Sequence, residues 1–274
     1  MNLLDWICNE DDSEELLPLC HTTKWETFEK ILESKTLRKE YSKFPDPNPW
    51  NEKTEEVVYL FYGMPFYIYE IGDGDIENSE STEDLPIGLI FKPDLSLEVD
   101  KFYPFDTGAL LAKKYIKVLN AKKSEDFKVY EVPVSNGSEM QKFVKRYYCQ
   151  NENYCIGNIC NKNKPTCPKE ENLFRLFNFK SQSKVDLRQR AIEIHSLNDI
   201  LLSHLQAIIL PRTKSRMYKH MINTININFP TIDIEYYYDL FRFSSESIRG
   251  VLLQTTADYY DKNPDMTFSH LNLS

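Results

Sequence analysis

Three short apolar segments each carry polar residues that could do chemistry. Leu17-Pro18-Leu19-Cys20-His21-Thr22-Thr23 offers a histidine and two hydroxyls. Val57-Val58-Tyr59-Leu60-Phe61-Tyr62-Gly63 offers tyrosines, and Arg190-Ala191-Ile192-Glu193-Ile194-His195 offers a carboxylate. A strand normally spends such positions on packing. Three of them in this order point to a pocket built by converging strands, with His21, Tyr62 and Glu193 lining one cleft. Glu193 could stabilise positive charge developing in a transition state. Tyr62, beside the bend at Gly63-Met64-Pro65, could present its ring to a planar ligand. Each residue also has a plain reading: Thr22 or Thr23 caps the helix that follows, Tyr62 fills a core, and Glu193 faces solvent.

Other residues deserve the same weighing. Cys149, Cys155, Cys160 and Cys167 share one polar stretch, and four thiolates could close a zinc site. Their spacing lacks the short pairs of common zinc ribbons, so no metal is assigned. Tyr103-Pro104-Phe105-Asp106-Thr107-Gly108 reads as a turn in which Asp106 or Thr107 caps a short helix through Lys114, with a substrate-side loop as the functional alternative. Tyr147-Tyr148 and Tyr236-Tyr237-Tyr238 could stack on bases or simply pack. His195, His204, His220 and His270 show no metal spacing and receive no chemistry.

The elements that must position these residues follow from pattern. A strand over Leu17 to Thr23 runs into a helix from about Lys24 to Lys35, striped by Trp25, Phe28, Ile31 and Leu32. Pro45 to Pro49 must be loop. Strands are expected at Glu56 to Tyr62, Phe66 to Glu70 and Pro86 to Lys92, with an acidic exposed loop from Gly72 to Asp84. Ser138 with Gln141 forms a capping-box pattern. Arg190 to His195 alternates as a half-buried strand, Ile192 and Ile194 on one face and Glu193 on the other. Strands at Gln206 to Leu210 and Thr231 to Tyr236 flank a helix from Lys214 to Thr224, and a helix from about Ser245 to Tyr260 closes the pattern. Few βαβ units and uneven helices indicate an α+β fold. One domain over 1–274 is expected, with a cysteine-containing insertion at about 149–170.

The chain has 274 residues, with 33 Lys+Arg against 42 Asp+Glu and a formal charge of -9. That argues against a general electrostatic grip on nucleic acid, although a local basic patch is compatible with it. Hydrophobic residues at 41% permit a well-buried core. No apolar run reaches the ~18 residues of a membrane helix, and the acidic start lacks a signal-peptide pattern. A cytoplasmic location is expected, with the six cysteines as reduced thiols or metal ligands rather than a disulfide frame.

The three segments together resemble the His-Tyr-Glu motifs of the ADP-ribosyltransferase superfamily, in its bacterial toxin- or effector-like branch. His21-Thr22-Thr23 followed by a helix is similar to the first motif, Phe61-Tyr62-Gly63-Met64-Pro65 to the second, and Ala191-Ile192-Glu193-Ile194 to the strand of the catalytic glutamate. The usual glycine after the first helix is replaced by Ser34-Lys35. The resemblance implies a split β-sheet core with flanking helices and NAD+ as substrate. It implies transfer of ADP-ribose to a macromolecular acceptor (protein, RNA or DNA), as a toxin or defence effector. His21, Tyr62 and Glu193 would be catalytic. His21, Thr22, Thr23, Arg38 and Tyr62 would hold NAD+, Arg38 at the pyrophosphate. The alternatives are an NAD+ glycohydrolase and a non-catalytic binding module of the same fold.

Overall fold

A computed structural model of the chain describes residues 2–41, 56–65, 85–108, 116–122, 124–160, 164–181, 184–185, 187–212, 216–238 and 245–263. In chain order the elements are α1 (Leu3–Ile7), β1 (Leu19–Thr23), α2 (Trp25–Ser34), β2 (Thr36–Leu37), β3 (Val58–Tyr62), β4 (Ile87–Phe91), β5 (Lys101–Tyr103), α3 (Ile116–Leu119), α4 (Ser124–Lys128) and β6 (Val132–Pro133). There follow α5 (Ser138–Tyr148), α6 (Asn151–Cys155), α7 (Pro168–Phe177), β7 (Lys180–Ser181), β8 (Lys184–Val185), β9 (Glu193–Ser196), β10 (Ile200–Leu201), β11 (Leu205–Pro211), α8 (Arg216–Asn228), β12 (Asp233–Tyr237) and α9 (Ser245–Lys262). The expected loop at Pro45 to Pro49, strand at Phe66 to Glu70, acidic loop at Gly72 to Asp84 and helix beyond Gly108 lie outside the described residues.

The fold is mixed α/β, with a large, mostly antiparallel sheet in the order β12-β11-β4-β1-β3-β9-β5-β6. The β11–β12 pair is parallel, because α8 crosses between them. β1 pairs with β4 along its whole length, from Leu19 opposite Phe91 to Thr23 opposite Ile87. Its pairing with β3 is confined to Leu19 opposite Tyr62 and Cys20 opposite Phe61. β3 then pairs with β9, Phe61 opposite Glu193 and Tyr59 opposite His195. The three strands that carry the candidate residues are therefore neighbours.

The apolar stripe of α2 is buried as its spacing requires: Trp25, Phe28, Ile31 and Leu32 face the core. Lys35 ends the helix at φ 54°, the left-handed position that glycine usually takes. A second packing layer is aromatic. Phe143, Tyr147 and Tyr148 of α5 meet Phe102 of β5, Tyr154 of α6 and Phe177 of α7. Fully buried Glu170 ties α5 to α7: its Oε1 accepts from Arg146 Nε and Nη2, each at 3.0 Å, and from the Tyr147 hydroxyl at 3.0 Å. Its Oε2 accepts from Thr166 N and Oγ1 at 2.6 and 2.8 Å. A buried carboxylate must be met in this way.

Within the expected insertion, α6 and the start of α7 form and Tyr154 is buried. Three expectations are corrected. Cys149 and Cys160 are joined as a disulfide, against the expectation of reduced thiols. The helix at 138 is capped by Gly137 rather than Ser138, and Glu139 accepts from Ser135 N at 3.1 Å. The last motif strand is buried on both faces rather than half-buried: Ile194 and its alternating partners Glu193 and His195 are all covered.

Candidate functional site

His21 stands where β1 leaves β3. A strand carbonyl points in the plane of the sheet toward its neighbour, so a side chain that reaches it lies in the gap between strands. His21 Nδ1 lies 2.8 Å from the Tyr59 carbonyl oxygen. A carbonyl accepts, so Nδ1 must donate. Burial lowers the His21 pKa from 6.5 to about 4, with the Tyr59 bond opposing the shift. The neutral ring with hydrogen on Nδ1 leaves Nε2 as an acceptor.

Glu193 begins β9. Its carboxylate Oε2 accepts from Thr107 N at 3.1 Å, and Oε1 accepts from His195 Nε2 at 2.7 Å and from the Thr107 hydroxyl. Glu193 is 3% exposed and His195 fully buried. The His195 ring is held edge-on to Tyr59, centroids 4.8 Å apart, and tilted against Tyr103 at 5.0 Å. Side chains link Tyr59 to His195, His195 to Glu193 and Glu193 to Thr107, and His21 joins them through the Tyr59 main-chain carbonyl.

The register settles which tyrosine belongs to that group. Phe61 opposite Glu193 and Tyr59 opposite His195 place Tyr59, His195 and Glu193 on one sheet face. Tyr62 falls on the other face with Leu19. It is fully buried, its hydroxyl accepts from Leu17 N at 3.1 Å, and its carbonyl accepts from the Tyr154 hydroxyl at 2.9 Å. Burial pushes its pKa up. The expected cleft of His21, Tyr62 and Glu193 is corrected accordingly, because Tyr62 presents no ring face to a ligand. Alternation alone would also set His21 away from Glu193, but the parting of β1 from β3 lets its ring enter the gap.

Neither Thr22 nor Thr23 caps α2. The cap is Lys24, with no side-chain bond. Thr23 Oγ1 makes only a 3.5 Å approach to the Lys24 carbonyl. Thr22 shares the face of Cys20, Phe61 and Glu193. Its Oγ1 is buried with no hydrogen-bond partner among the described residues. Arg38 lies in the exposed turn after β2, paired with Glu40 at 3.2 Å, and makes no described contact with the group. A cavity of about 690 Å³ lined by Lys35, Lys92, Leu202, Gln206 and Phe229 shares no residue with it. No group of His, Cys, Asp and Glu among the described residues could hold a metal ion.

Sequence reasoning favoured Tyr62 over Tyr59, gave His195 no chemistry and read Thr107 as a cap or part of a substrate-side loop. Tyr59 and Tyr62 were separable only by the β3–β9 register. The signal for Thr107 was the compact Phe-Asp-Thr-Gly turn, and for His195 its position two residues beyond Glu193 on one strand face.

No family model matches the chain, and no curated protein matches it. Among solved structures the chain is similar to DarT from Thermus sp. 2.9 in complex with NAD+, at 10% identity and a TM-score of 0.40, covering 81% of this chain and 96% of that one. The same protein in complex with carba-NAD+ matches at 9% identity and a TM-score of 0.39, with the same coverage. No helix among the described residues is long and apolar enough to cross a membrane.

Proposed function

We propose that the chain is an NAD+-dependent ADP-ribosyltransferase that moves ADP-ribose onto a macromolecular acceptor. One observation carries the reading. Strands β1, β3 and β9 hold the three motifs that resemble that superfamily, and they lie side by side, with the Tyr59 ring, His195 and Glu193 in contact and His21 bonded to the Tyr59 main-chain carbonyl between β1 and β3. The limited β1–β3 pairing is what a split sheet would need. Thr22, with a buried hydroxyl lacking a described partner, fits a polar ligand entering beside it.

Breaking the nicotinamide–ribose bond of NAD+ develops positive charge on the ribose. Glu193 offsets that charge through space and can accept a hydrogen bond from a sugar hydroxyl. His21 Nε2 accepts from a second hydroxyl. Thr22 Oγ1 and the nearby backbone hold the amide end of the substrate. Tyr59 takes the aromatic role first expected of Tyr62.

The test is incubation of the protein with labelled NAD+, with and without cell extract, followed by sorting of label into protein, RNA, DNA and free ADP-ribose. Glu193→Gln keeps the volume and removes the charge. Loss of about 3 kcal/mol of transition-state stabilisation lowers turnover about a hundredfold while NAD+ still binds. Unchanged turnover in Glu193→Gln would make Glu193 a packing residue and end this reading.

A further inference from the structure

We propose that Thr107 and His195 are positioning residues that hold the Glu193 carboxylate in its working orientation. The proposal rests on the ADP-ribosyltransferase reading and extends it to two residues outside the three motifs. A glutamate side chain has freely turning bonds, so a carboxylate that must face a developing charge needs its plane fixed. Thr107 does this at both oxygens: its N–H donates to Oε2 at 3.1 Å and its hydroxyl donates to Oε1. His195 Nε2 adds a third donor, to Oε1 at 2.7 Å. The carboxylate accepts all three, so Nε2 is the protonated nitrogen toward it.

The donors are themselves immobilised. The His195 imidazole is fully buried between the rings of Tyr59 and Tyr103. Thr107 lies in a turn closed by Gly108 N donating to Asp106 Oδ1 at 2.7 Å. Phe105, at the start of that turn, is fully buried against Phe127 and Tyr130. Thr107 and Asp106 are also buried. Three donors on rigid supports, converging on the carboxylate proposed to face the substrate, form a preorganised cradle.

The experiment compares Thr107→Val and His195→Phe, which remove side-chain donors and keep bulk, with Thr107→Ser and His195→Gln, which keep a donor. Steady-state NAD+ consumption is measured for each, and thermal melting confirms folding. The first pair should lower kcat about tenfold or more, while KM for NAD+ stays within about twofold. The second pair should recover to within about threefold of wild type. In a Glu193→Gln background Thr107→Val should bring no further loss, because the carboxylate it serves is gone. Wild-type kcat in Thr107→Val and His195→Phe, or a loss that persists in Glu193→Gln, would overturn the cradle while leaving the parent reading intact. Turnover of the Glu193→Gln variant equal to wild type would overturn both.

Discussion

Thr22→Val separates a ligand-binding hydroxyl from a packing one. Thr22 is 9% exposed, and its Oγ1 meets no partner among the described residues. A buried hydroxyl left unpaired costs about 1–3 kcal/mol. Valine keeps the β-branch and the strand preference and removes only the polar atom. Thr22→Val should therefore stabilise the ligand-free protein by about 1 kcal/mol, which raises Tm by about 2–4 °C in a chain of this size. If the hydroxyl is kept for NAD+, the same change should weaken NAD+ binding about threefold to tenfold. Thr23→Val is the control, since its hydroxyl makes only a long contact to the next carbonyl; its effect should stay within about 0.5 kcal/mol. Differential scanning calorimetry without ligand and titration calorimetry with NAD+ give the two readouts. A Thr22→Val protein that is less stable would show that the hydroxyl has a partner. One that is more stable but binds NAD+ unchanged would remove Thr22 from the site.

The other tests use the same contrast between architecture and chemistry. Tyr62→Phe leaves Leu17 N without its acceptor and should cost about 1–3 kcal/mol in urea unfolding with NAD+ turnover unchanged. Tyr59→Leu should do the reverse, with turnover falling and stability moving less. His21 has a folded pKa of about 4 against an unfolded value of 6.5. Between these values the unfolded chain binds a proton that the folded chain refuses, so the His21 contribution is intact above pH 6.5 and is lost as pH falls toward 4. His21→Gln should flatten that limb of the pH–stability curve. Glu170→Ala removes the buried carboxylate shared by Arg146 and Tyr147, leaving Arg146 with Glu10 at 3.4 Å and the Lys164 carbonyl, and should cost about 2–4 kcal/mol, read by thermal melting.

Local pattern made most of the scaffold legible. The stripe of α2, the strand ending at Thr23, the apolar run of β4 and the α8 crossover each follow from nearest-neighbour spacing. Where local chemistry offered two partners, the sequence was ambiguous. Ser138 looked like a cap, but the chain turned at Gly137 and let Glu139 reach back to Ser135. The stretch 149–170 looked polar because its Asn, Lys and Cys outnumber its apolar residues. Yet α6 is anchored by Tyr154, which donates to the Tyr62 carbonyl and accepts from Ile192 N, and by Asn151, which donates to Glu14 and to the Glu15 carbonyl. A few buried side chains can outweigh the composition around them.

The site was legible as strands and not as contacts. Tyr59 and Tyr62 stand three apart, so alternation says that they face opposite ways and nothing more. Which of them meets Glu193 depends on the pairing of β3 with β9, across more than a hundred residues of chain. A shift of that register by one residue would exchange their roles. Thr107 is separated from Glu193 by 86 positions, and no periodicity links a turn to a strand at that distance. His195 lay in plain view, but a histidine at i+2 acquires meaning only once both sheet faces are known to be covered, so that its Nε2 must turn back to the carboxylate beside it. Which side chains meet here is set by the register between strands, and register is a property of the whole sheet.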